Sequence, residues 1–313
     1  MVSKAKIIIE AQNLQKSFGK TEVLKGIDFS VKKGTMVALL GPNGAGKTTT
    51  VRILTTLLKP DAGSLRVNGL DVLKQPQEVR SVIGLTGQSA SIDDLLTGRE
   101  NLIMMGRLYR LTKASAVARA DELLEEFDLA DAADRPAKTY SGGMRRRLDL
   151  AVSLIATPPV LFLDEPTTGL DPRSRLVMWD IIQKLKKQGT TILLTTQYLE
   201  EADQLADSIV LIDNGIVAAK GTAKELKDKI GKDRLVITLA KADFESARTL
   251  LGKKVFLQNK ATSEITVLIK STGTDVREVL AALQDNKISI KNIDIHKPTL
   301  DDVFLSITDK KEL

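Results

Sequence analysis

The amino-acid sequence predicts an α/β protein built on a parallel sheet, followed by a smaller α+β domain. Three strand-like runs, "PVLFLDEP", "TTILLTT" and "SIVLIDNG", alternate with helix-like segments, an order typical of parallel sheets. A glycine-rich loop follows the apolar run "MVALL" and precedes another helix-like segment. Beyond about residue 233, the predicted elements follow the order β-α-β-β-α-β of a small two-layer domain.

The composition indicates a folded chain that does not cross a membrane by itself. Of its 313 residues, 42% are hydrophobic and 27% are charged, the balance of an ordinary soluble protein. Apolar runs such as "TILLTT" are far shorter than the roughly 20 residues that span a bilayer. The amino terminus lacks the apolar centre of a secretion signal, so we expect a cytosolic protein. The absence of cysteine excludes disulfides and thiolate metal sites.

The charge pattern does not favour nucleic-acid binding. The net charge is +6, and the basic residues are scattered among 40 acidic ones. No dense basic run with interleaved aromatic residues occurs, although both features are typical of nucleic-acid surfaces. We therefore expect no nucleic-acid partner.

The elements are predicted in the following order. Residues 5 to about 85 contain β-branched runs separated by turn signals, which predicts a β-rich opening. From about 92 to 157 apolar residues recur at helical spacing, which predicts a helical insert. Strands and helices then alternate until the charged, helix-like segment "TAKELKDKIGKD", which indicates a boundary. We assign residues 1–222 to a first domain and 223–313 to a second.

The second domain is predicted to be ferredoxin-like. Its strands "RLVITLA", "KVFLQN", "EITVLIK" and "ISIKNIDIHK" enclose the helices "DFESARTLL" and "DVREVLAALQDN", and "TLDDVFLSIT" adds a final helix. The segment contains no recognisable catalytic cluster, and its His296 is expected to be a structural or surface residue. An accessory or regulatory role is the resulting hypothesis.

The segment "GPNGAGKT", from Gly41 to Thr48, predicts a phosphate-binding loop. Glycines allow the backbone to curl so that its N–H groups point at phosphate oxygens, at a helix start that carries partial positive charge. Lys47 is expected to pair with the β- and γ-phosphates of a nucleotide, and the Thr48 hydroxyl to coordinate Mg²⁺.

A second segment, "VLFLDEPTTGLDP", supplies the carboxylates of such a site. The buried strand predicted by "VLFL" delivers Asp164 to its end, where the carboxylate can hold Mg²⁺ directly or through water. Glu165, one residue further, can accept a proton from the water that attacks the γ-phosphate, or orient that water.

A third segment, "YSGGMRRRLDLAVSLIA", predicts another helix start suited to phosphate. Ser141 is placed as the helix cap, and Gly142 and Gly143 follow it. One active site does not need two such helix starts. We therefore expect this one to act on ATP that is held by another copy.

Together these segments resemble the nucleotide-binding subunits of ABC transporters. The resemblance covers residues 1 to about 220, with Walker A at 41–48, Walker B ending at Asp164, a signature at 141–145 and a "GLD" loop at 169–171. It implies an ABC-type P-loop ATPase domain with a RecA-like core, an antiparallel β subdomain and a helical subdomain. It also implies a homodimer, or a pair with a paralogous ATPase, that encloses two ATP molecules and drives a membrane permease.

The resemblance implies roles for further residues. Phe18 matches the aromatic residue that stacks on adenine, Gln88 the glutamine that senses Mg²⁺ and the attacking water, and Asp171 an aspartate of the dimer contact. The implied nucleotide-binding residues are Phe18, Gly41, Pro42, Asn43, Gly44, Ala45, Gly46, Lys47, Thr48 and Thr49, together with Ser141, Gly142 and Gly143 on the partner's γ-phosphate. The implied Mg²⁺ residues are Thr48, Gln88 and Asp164, and the implied catalytic residues are Glu165, Gln197, Lys47 and Gln88.

Two positions depart from the family pattern. The signature has Met144 where glutamine is commonest, and Gln197 occupies the position of the switch histidine. A glutamine amide can still donate to a γ-phosphate and accept from a neighbour, but it cannot titrate. General-base catalysis is therefore assigned to Glu165. The three arginines at 145–147 can be interpreted in two ways. They form a solvated helix face, or they strengthen the positive field at the phosphate bound by the partner.

The segments "ILLTTQYLEEADQLAD" and "KPTLDDVFLSIT" look like the subgroup of daunorubicin/doxorubicin-resistance ATPases. This subgroup implies a separate integral-membrane permease, export of drugs, antibiotics or lipids, and a peripheral location on the cytoplasmic face of the membrane. One alternative is a soluble ABC protein acting on DNA or ribosomes, which lacks support because neither long heptad insertions nor a second ATPase domain occurs. The other is a non-transport switch that binds ATP without turnover, which the presence of Glu165 disfavours.

Overall fold

The computed structural model describes residues 6–87, 92–230, 233–269 and 273–308. The chain divides into two compact units, Met1–Ala223 and Lys224–Leu313. Within the described ranges, no helix is long and apolar enough to cross a membrane.

The elements of the first unit alternate between strands and helices. In chain order they are β1 Ile7–Phe18, β2 Thr21–Lys32, β3 Met36–Leu40, α1 Lys47–Leu54, β4 Ala62–Val67, β5 Leu70–Asp71, α2 Pro76–Ser81, β6 Ile83–Thr86, α3 Gly98–Leu108, α4 Lys113–Glu126, α5 Gly142–Ser153, β7 Val160–Asp164, α6 Pro172–Lys187, β8 Thr191–Thr196, α7 Leu199–Leu205, β9 Ser208–Asp213 and β10 Ile216–Gly221. Helix α8, Ala223–Ile230, spans the division between the units.

The central sheet of the first unit has the strand order β10-β9-β3-β8-β7-β6. Strands β9, β3, β8, β7 and β6 are parallel, and β10 is antiparallel to β9. Every residue of β3, β7 and β8 is buried, as expected for parallel strands that are covered on both faces. The predicted parallel sheet is confirmed, and its carboxyl edge brings the loops after β3, β7 and β8 together.

A second, antiparallel sheet has the order β2-β1-β4-β5. Its buried residues, among them Ile9, Leu24 and Ile27, share one hydrophobic cluster with Leu39 and Phe162 of the central sheet. The predicted β-rich opening therefore packs on the core that carries the phosphate loop. The predicted helical insert is also present and consists of α3, α4 and α5.

The second unit has the predicted ferredoxin-like topology. Its elements are β11 Asp233–Leu239, α9 Phe244–Leu251, β12 Val255–Asn259, β13 Glu264–Ile269, α10 Thr274–Asp285, β14 Ile290–His296 and α11 Leu300–Thr308. The sheet is antiparallel throughout, with the order β12-β13-β11-β14. Alternate residues of β11, namely Leu235, Ile237 and Leu239, are buried against Phe244 of α9 and Leu283 of α10. This unit therefore has a hydrophobic core of its own.

Candidate functional site

The phosphate loop connects β3 to α1, and two of its glycines are required by close approach. A Cβ atom on Gly41 would lie 2.2 Å from the Ile212 carbonyl oxygen, and one on Gly46 would lie 2.4 Å from Leu24 Cδ2. Gly46 also has a φ of +107°, which favours glycine. Among the described residues, no side chain caps α1, and its first turn contains no acidic residue. The N–H groups at this helix start therefore suit an anion.

Lys47 is buried beneath the loop and points back at it. Its Nζ atom donates to the carbonyls of Gly41 at 2.8 Å and Pro42 at 3.0 Å, and it lies 3.5 Å from Glu165 Oε1. Burial lowers the pKa of the Lys47 ammonium, and the neighbouring Glu165 carboxylate opposes this shift. The loop thus holds one cation next to the carboxylate assigned as the general base.

Asp164 ends β7 with its carboxylate among hydroxyl groups. Its Oδ1 accepts hydrogen bonds from Thr48 Oγ1 at 3.0 Å and from Thr195 Oγ1 at 2.5 Å. Hydroxyl and carboxylate oxygens are ligands that Mg²⁺ prefers. The pairing of Thr48 with Asp164 therefore fits this ion. Gln88, the third residue assigned to Mg²⁺, lies outside the described residues.

Glu165 follows in a left-handed backbone conformation, with a φ of +51°. Its N–H group donates to both the carbonyl and the hydroxyl of Thr195, at 3.1 and 3.0 Å. Its Oε2 accepts from Thr168 Oγ1 at 3.2 Å. Positive φ values cost energy in residues other than glycine and persist where the surroundings fix them, often at functional sites.

Gln197 emerges from the carboxyl end of β8, between the phosphate loop and Glu165. The preceding Thr196 pairs with Leu40 of β3, and Thr195 pairs with Asp164 of β7. The following residue, Tyr198, donates its N–H to Thr196 Oγ1 at 2.9 Å, and its ring lies 5.2 Å from the guanidinium carbon of Arg175. Both neighbours of Gln197 are therefore held in place.

The signature and the "GLD" loop pack against each other. Ser141 caps α5, with its Oγ accepting from the Met144 N–H at 3.3 Å. A Cβ atom on Gly143 would lie 2.5 Å from Ser174 Oγ, and that hydroxyl donates to Asp171 Oδ2 at 2.6 Å. The hydrogen bond from Ser174 lowers the pKa of the exposed Asp171. The structure thus places the two segments that were assigned to the dimer contact side by side.

Phe18 lies at the end of β1 with about half of its surface exposed, at 48%. Lys16 Nζ lies 5.6 Å from the centre of its ring. An exposed aromatic ring at this position is available for stacking, and adenine stacking remains a prediction.

Some residues at the site were not found from the sequence. The Thr195 hydroxyl touches both Asp164 and Glu165, and the only available signal was its place in "TTQ" at a strand end. Arg146 turns inward onto backbone carbonyls, so neither interpretation of the three arginines describes it. The third residue is Glu201, on the helix after Gln197.

Glu201 is completely buried and joins three segments. Its Oε1 accepts from Thr167 Oγ1 at 2.7 Å and from Trp179 Nε1 at 3.0 Å, whereas Oε2 has no hydrogen-bond partner among the described residues. Trp179 is a buried residue of α6. The carboxylate therefore ties the loop after Glu165 to α6 and α7.

We expect Thr167→Val to destabilise the first unit by about 1.5–3 kcal/mol, because it removes a donor from a buried carboxylate. The measurement is urea unfolding followed by the fluorescence of Trp179, the single tryptophan of the chain. Thr139→Val is the control, since Thr139 is exposed and its hydroxyl donates to the Pro136 carbonyl. Equal stabilities of the two variants would contradict this role of Glu201.

Comparisons with known proteins identify the family of the chain. Residues 24–168 match the family model of the ABC transporter, and residues 221–308 match that of the ATP-binding protein DrrA1-3-like, C-terminal domain. The chain is 49% identical over 304 residues to the daunorubicin resistance ATP-binding protein DrrA2 of Streptomyces coeruleorubidus, covering 96% of this chain and 94% of that protein. It is 44% identical over 308 residues to the doxorubicin resistance ATP-binding protein DrrA of Mycobacterium tuberculosis, covering 96% and 93%.

The fold is also that of a solved ATP-binding subunit of an ABC transporter. That structure matches with a TM-score of 0.64 and 31% identity, over 71% of this chain and 92% of the other. The chain therefore belongs to the ABC transporter family of ATP-binding proteins, and it is an ATPase.

Proposed function

We propose that the chain hydrolyses ATP as one half of a head-to-tail dimer and drives a separate integral-membrane permease that exports drugs, antibiotics or lipids. The observation that carries the proposal is the convergence of three loops at one sheet edge, where Lys47 lies 3.5 Å from Glu165 and Thr48 lies 3.0 Å from Asp164. The export direction and the cargo class rest on similarity to the two resistance proteins over almost the whole chain.

Each residue at this edge has a separate role in ATP hydrolysis. Lys47 and the N–H groups at the start of α1 bind the phosphates. Glu165 accepts a proton from water while the water oxygen bonds to the γ-phosphorus and the bond to the ADP oxygen breaks. Gln197 donates an amide hydrogen to the γ-phosphate and holds the water. Phe18, which lies outside this edge at the end of β1, stacks on the adenine.

Thr48 and Asp164 are the described residues that would hold Mg²⁺. The ion, when bound, neutralises charge that develops on the phosphate oxygens. The Thr195 hydroxyl fixes the Asp164 carboxylate through a 2.5 Å hydrogen bond, so the oxygen ligands are preorganised.

The position of the signature supports the proposed dimer. Within the chain, the start of α5 packs against the "GLD" loop through Gly143 and Ser174, and the phosphate loop has its own helix start in α1. Ser141, Gly142 and Gly143 are therefore assigned to the γ-phosphate of ATP that is bound to a second copy or a paralogous ATPase. Asp171 contributes to the same contact.

The permease is required because transport needs a membrane-spanning path, and no described helix is suited to cross a bilayer. We place the ATPase peripherally, at the cytoplasmic face of the membrane, through that permease. Its cargo is proposed to be a drug, an antibiotic or a lipid, since the similar proteins are named for resistance to daunorubicin and doxorubicin.

Gentle purification from solubilised membranes tests the transport proposal. We expect the tagged protein, expressed at native level, to co-purify with an integral-membrane permease in a stoichiometric ratio. Reconstitution of the pair in vesicles should then give ATP-dependent movement of a fluorescent anthracycline such as doxorubicin. Exclusively soluble partners, without membrane association, would support a non-transport switch and overturn the exporter.

We also propose that residues 1–222 form the ATPase domain and that residues 223–313 form an accessory domain that stabilises or regulates the dimer. The second unit has a separate hydrophobic core, in which Leu235, Ile237 and Val267 are buried. A core of its own supports an independent folding unit.

Truncation after residue 230 is expected to weaken ATP-dependent dimerisation or transport while the first domain still binds ATP. The comparison is made by light scattering of the dimer and by nucleotide binding, with the full chain as the reference. A truncated protein with unchanged ATPase activity, dimerisation and transport would argue against an accessory role.

A further inference from the structure

The three consecutive arginines of α5 contact three different parts of the first unit. Arg145 Nη1 lies 2.6 Å from Asp94 Oδ1. Arg147 Nη1 donates to Asp128 Oδ2 at 2.9 Å and to the Phe127 carbonyl at 3.1 Å. These three partners belong to the segment between residues 92 and 157. The side chain of Arg146, by contrast, reaches the carboxyl edge of the central sheet.

Arg146 donates to four backbone carbonyl groups. Nη1 donates to Gly87 at 2.7 Å, Nε to Pro166 at 2.8 Å, and Nη2 to Glu165 at 2.8 Å and Asp164 at 3.2 Å. Its side chain is only 14% exposed. Because guanidinium has five N–H donors in a fixed planar fork, one side chain can serve all four acceptors.

These contacts fix the backbone around the proposed general base. The N–H group of Glu165 is held by Thr195, and its carbonyl accepts from Arg146 and, at 3.3 Å, from the Thr168 N–H. Glu165 has a positive φ, a conformation that the surroundings must maintain. Arg146 therefore holds the main chain of Glu165, through the hydrogen bond to the Glu165 carbonyl.

We propose that Arg146 is a positioning residue, which links the helix that begins at the signature to the general base Glu165 of the same chain. The inference rests on the proposed function, in which the signature binds the ATP of the partner. Engagement of the signature on one ATP would then be transmitted along α5 to Glu165, which acts on the other. The two sites of the dimer are coupled in this way.

The test compares Arg146→Gln with Arg146→Lys in the full chain. We expect both variants to bind ATP with nearly unchanged affinity and to lower kcat, by about 10²-fold for glutamine, as for a small misplacement of a catalytic group. The kcat of Arg146→Lys should lie between that of Arg146→Gln and that of the wild type. An ammonium group has only three donors and cannot reach from the Gly87 carbonyl to the Pro166 carbonyl. Full activity of both variants would overturn the proposal.

A double variant shows whether Arg146 acts through Glu165. In a Glu165→Gln background, Arg146→Gln should cause little further loss in single-turnover hydrolysis, because the group that it positions is already absent. ATP-dependent dimerisation should persist in the double variant. An equal further loss in both backgrounds would contradict positioning of Glu165, and failure of Glu165→Gln alone to form a dimer with ATP would instead contradict the proposed function.

Arg147 is the control on the same helix. Arg147 is 16% exposed and donates to two acceptors, Phe127 and Asp128, that lie away from the sheet edge, so Arg147→Gln should leave kcat close to that of the wild type. If Arg147→Gln lowered kcat as much as Arg146→Gln, a general positive field would explain the effect and the proposal would fail.

Chemical rescue separates positioning from misfolding. In Arg146→Ala, added guanidinium can enter through a cavity of about 520 Å³, which Arg146 itself lines together with Glu165 and Gly142. Millimolar guanidinium chloride is expected to restore part of kcat, whereas sodium chloride at equal ionic strength is not. No rescue, in a variant whose thermal unfolding and ATP affinity match those of Arg147→Gln, would count against the proposal.

Discussion

Replacement of Glu165 by glutamine is expected to lower ATP turnover by about 10²–10⁴-fold, the range for removal of a general base. The amide keeps the shape of the side chain and can accept from Thr168, but it cannot take the proton of the attacking water. ATP binding should persist, since Lys47 and the loop N–H groups are unchanged. The substitution should therefore trap a dimer that contains ATP.

Phosphate release and size-exclusion chromatography with ATP and Mg²⁺ measure the two effects. Glu200→Gln is the matched control, because Glu200 is exposed on α7 and should give wild-type turnover. The wild type is expected to dimerise transiently and the Glu165 variant stably. Identical dimers and no turnover in both proteins would support the non-transport switch.

The second large effect is expected from Gln197→Ala. Loss of one donor to a transition-state oxygen typically costs about 10²–10³-fold in kcat, whereas ATP affinity should change little because Lys47 and α1 provide the binding contacts. Gln197→His should remain active, since imidazole can also donate to the γ-phosphate. Unchanged turnover in the alanine variant would refute this role.

The pH dependence of kcat distinguishes glutamine from histidine at this position. An amide does not titrate, so Gln197 contributes no change in rate near pH 6.5, whereas an imidazole becomes charged as the pH falls below its pKa. We expect Gln197→His to introduce a new inflection in this region. The wild type is the control, since its single histidine, His296, belongs to the second unit.

Much of the candidate site could be proposed from the sequence because its chemical groups lie in short contiguous segments. The phosphate loop needs glycines at defined backbone positions, and Gly41 and Gly46 indeed have no space for a Cβ atom. The runs of β3, β7 and β8 are continuously apolar or β-branched because parallel strands are buried on both faces. A strand that ends at Asp164 and is followed by Glu165 therefore identifies the edge at which those carboxylates lie.

Contacts between segments that are distant in the sequence could not be predicted and were decided by the tertiary structure. Thr195 meets Asp164 because β8 pairs with β7 in a register that no local pattern specifies. The three consecutive arginines carry the same chemical group. Only the rotation of α5 against β7 decides that Arg146 points toward the carbonyls of Asp164 and Glu165. The sequence thus specified the chemical groups and their strand ends, while packing selected the partners that hold them, because hydrogen bonds between segments depend on register and helix rotation.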